Sequence, residues 1–282
     1  MTKISVVTPV YNGARYFDRA APSILAQSMS DFEWVIVDDG STDTTPERLA
    51  ALAASDARVR VLSPGRLGYA RALNHAIEQA RGAYIANQDF DDRSYRDRLR
   101  LQAAFLDAHP EVGVVGGRYV LIDETRDERY ERMPPEQHDQ IVRAMASRIP
   151  FAHTLVMFRK EAWHQAGGYP TLESLVDFRL WIEFGRLGWR FANLPEVLGE
   201  HVVYAQSHFL SNLKYRARQR SLAKLQMLAI RTFGLPLWTS IFPAGRYVYW
   251  AMPDGMKRAV RRLLAGSRER NLSEPSARQV ML

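Results

Sequence analysis

The residues with the clearest chemical potential form a carboxylate cluster, Asp89-Phe90-Asp91-Asp92, directly after the short apolar run Ala83–Ala86. Two carboxylates spaced i, i+2 at the end of a strand suit a hard divalent cation, and Mg²⁺ or Mn²⁺ keeps positions open for phosphate oxygens. A solvated acidic turn uses the same residues, so the spacing alone leaves both readings standing. Asp38-Asp39-Gly40-Ser41 follows a second β-rich run, Glu33–Val37. Tyr11-Asn12-Gly13 follows a third, Ile4–Thr8. Each loop by itself is compatible with plain turn geometry. Their joint occurrence is more informative, because it supplies a ring to stack on a base, a carboxylate to accept from a base N–H, and a cation site for a diphosphate.

These loops acquire meaning from the elements that carry them. The first half of the chain alternates strand and helix signals. Strands are predicted at Ile4–Thr8, Glu33–Val37, Arg58–Leu62 and Ala83–Ala86. Helices are predicted over Tyr16–Gln27, from Thr44-Thr45-Pro46-Glu47 onward, and over Gly68–Gln79. Such alternation implies right-handed βαβ units and a largely parallel sheet, with ligands bound outside the carboxyl ends of the strands. All three polar loops fall at those ends. Val112–Val115 and Tyr119–Ile122 read as two further strands, and Asp123–Gln140 as an exposed excursion. Thr154–Phe158 reads as a strand, Gly167–Pro170 as a turn and Val176–Arg186 as a helix. Strands are expected near Phe191 and Val202, and a long basic helix over His208–Thr232, broken by Gly234 and Pro236.

Composition narrows the classes. The 282 residues suffice for an α/β domain with a helical appendage, and 46% hydrophobic with 24% charged residues is ordinary for a globular chain. With no cysteine, thiolate nucleophiles, disulfides and Cys-ligated zinc are excluded, and a reducing, cytoplasmic setting is expected. No apolar run reaches the roughly 18–20 residues of a membrane span. From Lys214 to Arg270 there are 13 Lys/Arg against two acids, a net +11, so the rest carries −4 of the total +7. That asymmetry calls for an anionic surface.

The ordered motifs resemble those of the family 2 glycosyltransferases. The matching residues run from Ser5–Gly13 through Trp34–Asp43, Gly68–Asn74, Arg81–Ala86, Asp89–Asp92 and Asp97–Leu99, then His153, Val156–Arg159, Gly167–Tyr169 and Asp177–Trp181. The resemblance covers about residues 3–205. It implies an α/β GT-A fold, a mostly parallel Rossmann-like sheet flanked by helices, and inverting transfer of a hexose from a nucleotide-diphosphate sugar. It also assigns roles. Thr8, Tyr11, Asp39 and Asp89 fall on nucleotide-binding positions, and Asp91 on the metal-binding member of the Asp-x-Asp motif. Asp177 falls on the general base, with His153 and Tyr169 on the acceptor side. Without the family, Asp177 reads as an acid favouring a helix N-terminus. Three positions depart from the pattern: Val176 replaces a glutamate before the base, Leu73 an arginine, and Tyr204 a histidine near the metal.

The expected reaction is a single displacement aided by Mn²⁺ or Mg²⁺. The resemblance favours UDP-sugars as donors; an aspartate accepts from uracil N3–H or guanine N1–H alike and opposes the bare N3 of cytosine, so GDP is possible and CMP disfavoured. The acceptor is expected to be a hydroxyl of a glycan or lipid-linked acceptor, in cell-surface polysaccharide or lipopolysaccharide synthesis. The alternatives are a sugar-nucleotide nucleotidyltransferase and an inactive nucleotide-binding relative. Nucleic acid is not expected as a partner. The expected organisation is a catalytic domain over 1–205, comprising a donor half (1–122) and an acceptor half (123–205). A helical basic extension (206–270) and a disordered tail (271–282) follow. The extension is expected to lie on an anionic membrane surface at its cytoplasmic face, through the aromatic stretch from Leu235 and an amphipathic helix over Met256–Leu264.

Overall fold

The computed structural model describes residues 2–171, 174–204, 212–252 and 256. The amphipathic helix expected over Met256–Leu264, all but its first residue, lies outside the described residues, as does the tail 271–282. The chain begins with β1 (Ile4–Val10), α1 (Phe17–Leu25), β2 (Phe32–Asp38), α2 (Thr45–Ser55), β3 (Val59–Leu62), α3 (Tyr69–Gln79) and β4 (Tyr84–Asn87). These strands pair in parallel in the order β3-β2-β1-β4. β1, β2 and β4 are buried throughout, the edge strand β3 only in part, and helices connect them, as parallel crossovers require. Their side chains alternate between two cores. Val7, Val35, Val37 and Ile85 face one helical layer. Val6, Trp34, Ile36 and Ala86 face the other.

The second half of the sheet is mixed. After β5 (Arg93–Ser94) and α4 (Arg98–Ala108) come β6 (Val112–Asp123), β7 (Glu128–Arg132), α5 (His138–Met145), β8 (Met157–Arg159), α6 (Lys160–Gln165), α7 (Val176–Arg186) and β9 (Arg190–Val203). Strand β8 joins the edge of β4 and pairs antiparallel with both β4 and β6. β6 and β9 run parallel along most of their length, with register shifts around Val112–Val114 and Gly117–Val120. The sheet thus remains α/β in type while its far half interleaves directions.

Two boundaries differ from the sequence expectation, for one reason. Val112–Val115 and Tyr119–Ile122 are one strand, and so are the runs near Phe191 and Val202. Gly116 and Gly117 looked like a break but serve close packing. A Cβ on Gly116 would come 2.2 Å from Asn193 Oδ1, and one on Gly117 2.5 Å from Leu198 Cδ1. The glycines let two long strands approach, rather than turn. Thr154 is also not in a strand. It sits in a helical turn, His153–Leu155, because its hydroxyl accepts the Asp89 backbone N–H at 3.0 Å. The excursion over 123–140 is a hairpin, with β7 exposed throughout and paired to β6.

Helix α8 (Asn212–Thr232) buries Leu225 and Ala229 in the same core as α3 and α7. A short helical turn, Leu237–Ser240, leads into α9 (Ile241–Ala251). Arg246 on α9 donates to Gln226 Oε1, Gln219 Oε1 and the Ser147 carbonyl. No helix among the described residues is long and apolar enough to cross a membrane.

Candidate active site

Backbone geometry builds the donor edge first. After β1 the chain turns through Asn12 at φ 51°, a conformation asparagine tolerates. Asn12 Oδ1 accepts the Thr42 N–H at 2.8 Å, and Asn12 N–H donates to Ser41 Oγ at 2.9 Å, stitching the first loop to the second. Gly13 is obligatory here, since a Cβ would lie 2.4 Å from Val10 Cγ2. Tyr11 is left half exposed, with the Arg66 guanidinium 3.6 Å from its ring centre. Asp39 is buried, and its Oδ1 accepts from the Leu67 and Gly68 amides at 2.6 and 3.0 Å. Arg66 pairs with its Oδ2 at 3.0 Å. Arg66 therefore covers one face of the ring and one edge of the carboxylate. Thr8 is turned to the core: it is fully buried, and its Oγ accepts from Trp34 Nε1 at 2.9 Å. Any nucleotide contact at Thr8 would fall to its backbone.

The carboxylates at the end of β4 have distinct surroundings. Asp92 is fully buried, accepting the Val202 N–H at 2.8 Å and facing His201 Nδ1 at 2.9 Å. Burial disfavours charge on His201. The charge and hydrogen bond of Asp92, helped by Asp89 and Asp91, override it and push the pKa up to about 9. Asp89 and Asp91 keep part of their surface at the cleft. Burial, then Asp91 and Asp92 beside it, raise Asp89 to about 6 against His153 and Tyr69. Burial, then Asp92, raise Asp91 likewise to about 6. The neighbouring cations do not offset this, and a divalent cation would add the missing counter-charge. The described residues contain no group of three or more His, Cys, Asp or Glu arranged to hold a metal. The donor set present, two oxygen ligands, fits an ion that completes its shell with phosphate oxygens and water.

Arg98 props this loop from below. It is 1% exposed and donates to the Asn87 and Val156 carbonyls, Gln88 Oε1, Ser94 Oγ and Gln102 Oε1, at 2.7–3.1 Å. Tyr204, in place of the expected histidine, donates to the Asp91 backbone carbonyl at 3.2 Å and packs on Tyr16, centroids 5.0 Å apart.

The residues expected on the acceptor side lie around α7. Leu175 precedes the helix in a left-handed conformation, φ 61°, a strain that tends to persist at functional sites. It starts α7 so that Val176 is buried and Asp177 stands in the first turn, half exposed. His153 and Tyr169 do come together, with Nε2 2.8 Å from the phenol oxygen. A residue that sequence reasoning missed joins them. Tyr69, at the start of α3, lies 2.9 Å from Asp89 Oδ1 and 3.1 Å from His153 Nδ1. Burial, then Asp177 and Asp89, raise the Tyr169 pKa; burial, then Asp89, raise that of Tyr69, with Asp177 a lesser cause. His201 was missed as well. No local spacing signals either contact, since Tyr69–His153 spans 84 residues and Asp92–His201 spans 109. Trp181 is fully buried and belongs to the core. A cavity of about 600 Å³ between α6, α7 and α8, lined by Gly168, Arg179, Glu183 and Arg186 among others, includes none of these carboxylates.

Comparison with known proteins identifies the family and the fold. The family model described as glycosyl transferase family 2 matches residues 5–166. The glycosyltransferase EpsE of Bacillus subtilis is 35% identical over 201 residues, 70% of this chain and 71% of that protein. The amylovoran biosynthesis glycosyltransferase AmsE of Erwinia amylovora is 32% identical over 200 residues, 69% and 74% of the two chains. Among solved structures, the mannosyltransferase PcManGT of Pyrobaculum calidifontis, in complex with GDP-Man and Mn²⁺, aligns with a TM-score of 0.67. It is 25% identical, over 98% of this chain and 77% of that one. TarS of S. aureus with UDP-GlcNAc aligns at 0.62 and 21% identity, a likeness of fold, over 79% and 66%. The chain is a glycosyltransferase with the GT-A fold and belongs to glycosyl transferase family 2.

Proposed function

We propose that the protein transfers a sugar, with inversion, from a nucleotide-diphosphate donor to a hydroxyl of a glycan or lipid-linked acceptor during polysaccharide assembly. One observation carries this reading: Tyr11, Asp39, Asp89 and Asp91 converge on the carboxyl ends of β1, β2 and β4, and the field of Asp177 reaches the same cluster. The name of AmsE, an amylovoran biosynthesis glycosyltransferase, supplies the biosynthetic setting by analogy. The neighbours hold GDP-Man in one case and UDP-GlcNAc in the other. The carboxylate at position 39 can accept from uracil N3–H or guanine N1–H and opposes the bare N3 of cytosine; UDP is preferred over GDP on the family resemblance alone.

In this mechanism Tyr11 stacks on the base and Asp39 receives its N–H, Arg66 having moved aside. Asp89 faces the ribose side, and Asp91, with Asp89, would hold a divalent cation. Such a cation, when bound, offsets charge on the departing diphosphate. Asp177 takes the proton of the acceptor hydroxyl as its oxygen bonds to the anomeric carbon and the bond to the diphosphate breaks. A single displacement needs one base and no covalent intermediate, so an α-linked donor yields a β-linked product. The division into donor half (1–122), acceptor half (123–205) and basic extension (206–270) follows these roles. The extension is proposed to hold the enzyme on an anionic, cytoplasmic membrane face. Leu237, Trp238, Ile241 and Phe242 support this, being 85%, 69%, 67% and 43% exposed while Arg246 is turned inward. No acidic residue lies between Glu200 and Asp254.

The deciding experiment is a donor screen with UDP- and GDP-sugars, with and without Mn²⁺, reading the released product. Nucleoside diphosphate release supports transfer. Pyrophosphate release would mark a nucleotidyltransferase, and no turnover with any donor an inactive relative.

A further inference from the structure

The cavity of about 600 Å³ between α6, α7 and α8 lies apart from the carboxylate cluster. Its charge comes from one side of α7. Arg179, Glu183 and Arg186 are spaced i, i+4 and i+7 and share a helical face, while Asp177, two positions before Arg179, falls on the opposite one. Glu183 meets Arg179 Nη2 at 2.9 Å and Arg186 Nε at 2.6 Å. Each guanidinium commits one of its three nitrogens to Glu183, and two cations share one anion. The cavity walls include Pro170, Leu180 and Leu228. Exposed Lys224 and Arg231 stand one turn before and one turn after Leu228, and α8 carries no acidic residue. Apolar walls beside a surplus of positive charge suit a ligand that is apolar at one end and anionic at the other. Guanidinium forks favour phosphate oxygens, which they can grip at two points.

Thr232, at the end of α8, also lines the cavity. Exposed Leu237 follows it by five residues, a span of at most about 18 Å, and the turn Leu237–Ser240 packs on α8. A membrane met by Leu237 and Trp238 therefore brings its headgroup layer within reach of the cavity. We infer that this cavity binds the phosphate of a membrane lipid, with Arg179 and Arg186 as its anion contacts and Pro170, Leu180 and Leu228 against the apolar part. The choice of occupant rests on the membrane attachment proposed above, and sugar transfer is not needed for it. To grip the phosphate the guanidiniums turn from Glu183, so Glu183 competes with the ligand.

Calorimetry of the full chain tests this with three dissolved probes: dihexanoyl phosphatidylglycerol, dihexanoyl phosphatidylcholine and inorganic phosphate. The wild type should bind phosphatidylglycerol saturably, about tenfold or more tighter than either other probe. Arg179→Ala/Arg186→Ala should weaken it about tenfold or more, the scale of lost charge-assisted hydrogen bonds, while still melting cooperatively. Glu183→Gln, which frees both guanidiniums and removes a repelling charge, should bind more tightly. Absence of saturable binding by the wild type, or unchanged binding in the arginine variant, overturns the inference. Equal affinity for phosphatidylcholine overturns the anion contacts, and equal affinity for inorganic phosphate overturns the lipid. A loss in Glu183→Gln as large as in the arginine variant overturns it too, because the three side chains would then form a structural ladder. Flotation separates this site from membrane attachment itself. A wild type that floats with anionic vesicles yet fails to bind dissolved lipid sinks the cavity site alone, and one that binds dissolved lipid but does not float sinks the attachment alone.

Discussion

At the scale of single residues, the site divides into carboxylates whose neighbouring cations do not offset burial and one that is matched. Asp89 and Asp91 are raised to about 6, and Asp92 is matched by His201. Asp91→Asn should abolish donor turnover, and excess EDTA should do the same to the wild type; full activity in EDTA would rule out the metal role. Asp177→Asn should cost on the order of 10²–10⁴-fold in transfer while nucleotide affinity, measured by calorimetry, stays nearly constant. A loss of only a few-fold would leave Asp177 a helix-terminal acid. The raised pKa values also predict a direction for stability. Between about pH 4 and 6 the folded carboxylates bind more protons than unfolded ones, so their contribution falls as pH rises through 6. His201, raised to about 9, adds stability that is full below about 6.5 and is lost as pH rises through 9. In ion-free solution, thermal melting should therefore be higher at pH 5 than at pH 7. Asp91→Asn should shrink that difference, and Mn²⁺ should raise the pH 7 midpoint selectively. A pH-independent midpoint insensitive to Mn²⁺ would contradict the charge account.

At the scale of elements, the carboxylate loop is held by α4 through one buried guanidinium. Arg98 satisfies two carbonyls and three side-chain oxygens in the space between β4 and α4. Burial, against the pull of Asp92 and Asp89, lowers its pKa to about 9. Arg98→Met keeps much of the volume and strands those acceptors. Urea denaturation should show a loss on the order of 3 kcal/mol, as expected for buried partners left unpaired. A change within 0.5 kcal/mol, the range of ordinary surface substitutions, would mean that the loop stands without it. Local periodicity made the parallel strands and α7 legible, because each buries a face that its own residues define. It failed where glycines serve packing, as at Gly116 and Gly117, since turn and close approach draw on the same residue type.

For the whole molecule, Leu237, Trp238, Ile241 and Phe242 are exposed, and so are Arg220, Lys224 and Arg231 on α8. Wild-type protein should float with anionic vesicles, less so at high salt, because both apolar insertion and surface charge contribute. Trp238→Glu/Ile241→Glu should lose flotation while retaining donor turnover in solution. Equal flotation would refute membrane attachment through this face. A smaller hydrodynamic size in the variant would show that a second copy covers it.

By itself the sequence determined the α/β alternation, the three polar loops at the carboxyl ends of parallel strands, and Asp177 in the first turn of a helix. These are consequences of spacing within about 15 residues, where the periods of strand and helix leave their mark. Tertiary structure alone decided the partners. It seated Arg66 over Tyr11 and on Asp39, gave Thr8 to Trp34, and set His201 against Asp92. It also strung Tyr69, His153 and Tyr169 toward Asp89, and turned Arg246 inward. Those contacts join residues 16 to 109 positions apart. They follow from how strands and helices stack into one core, which no local pattern of residue types encodes.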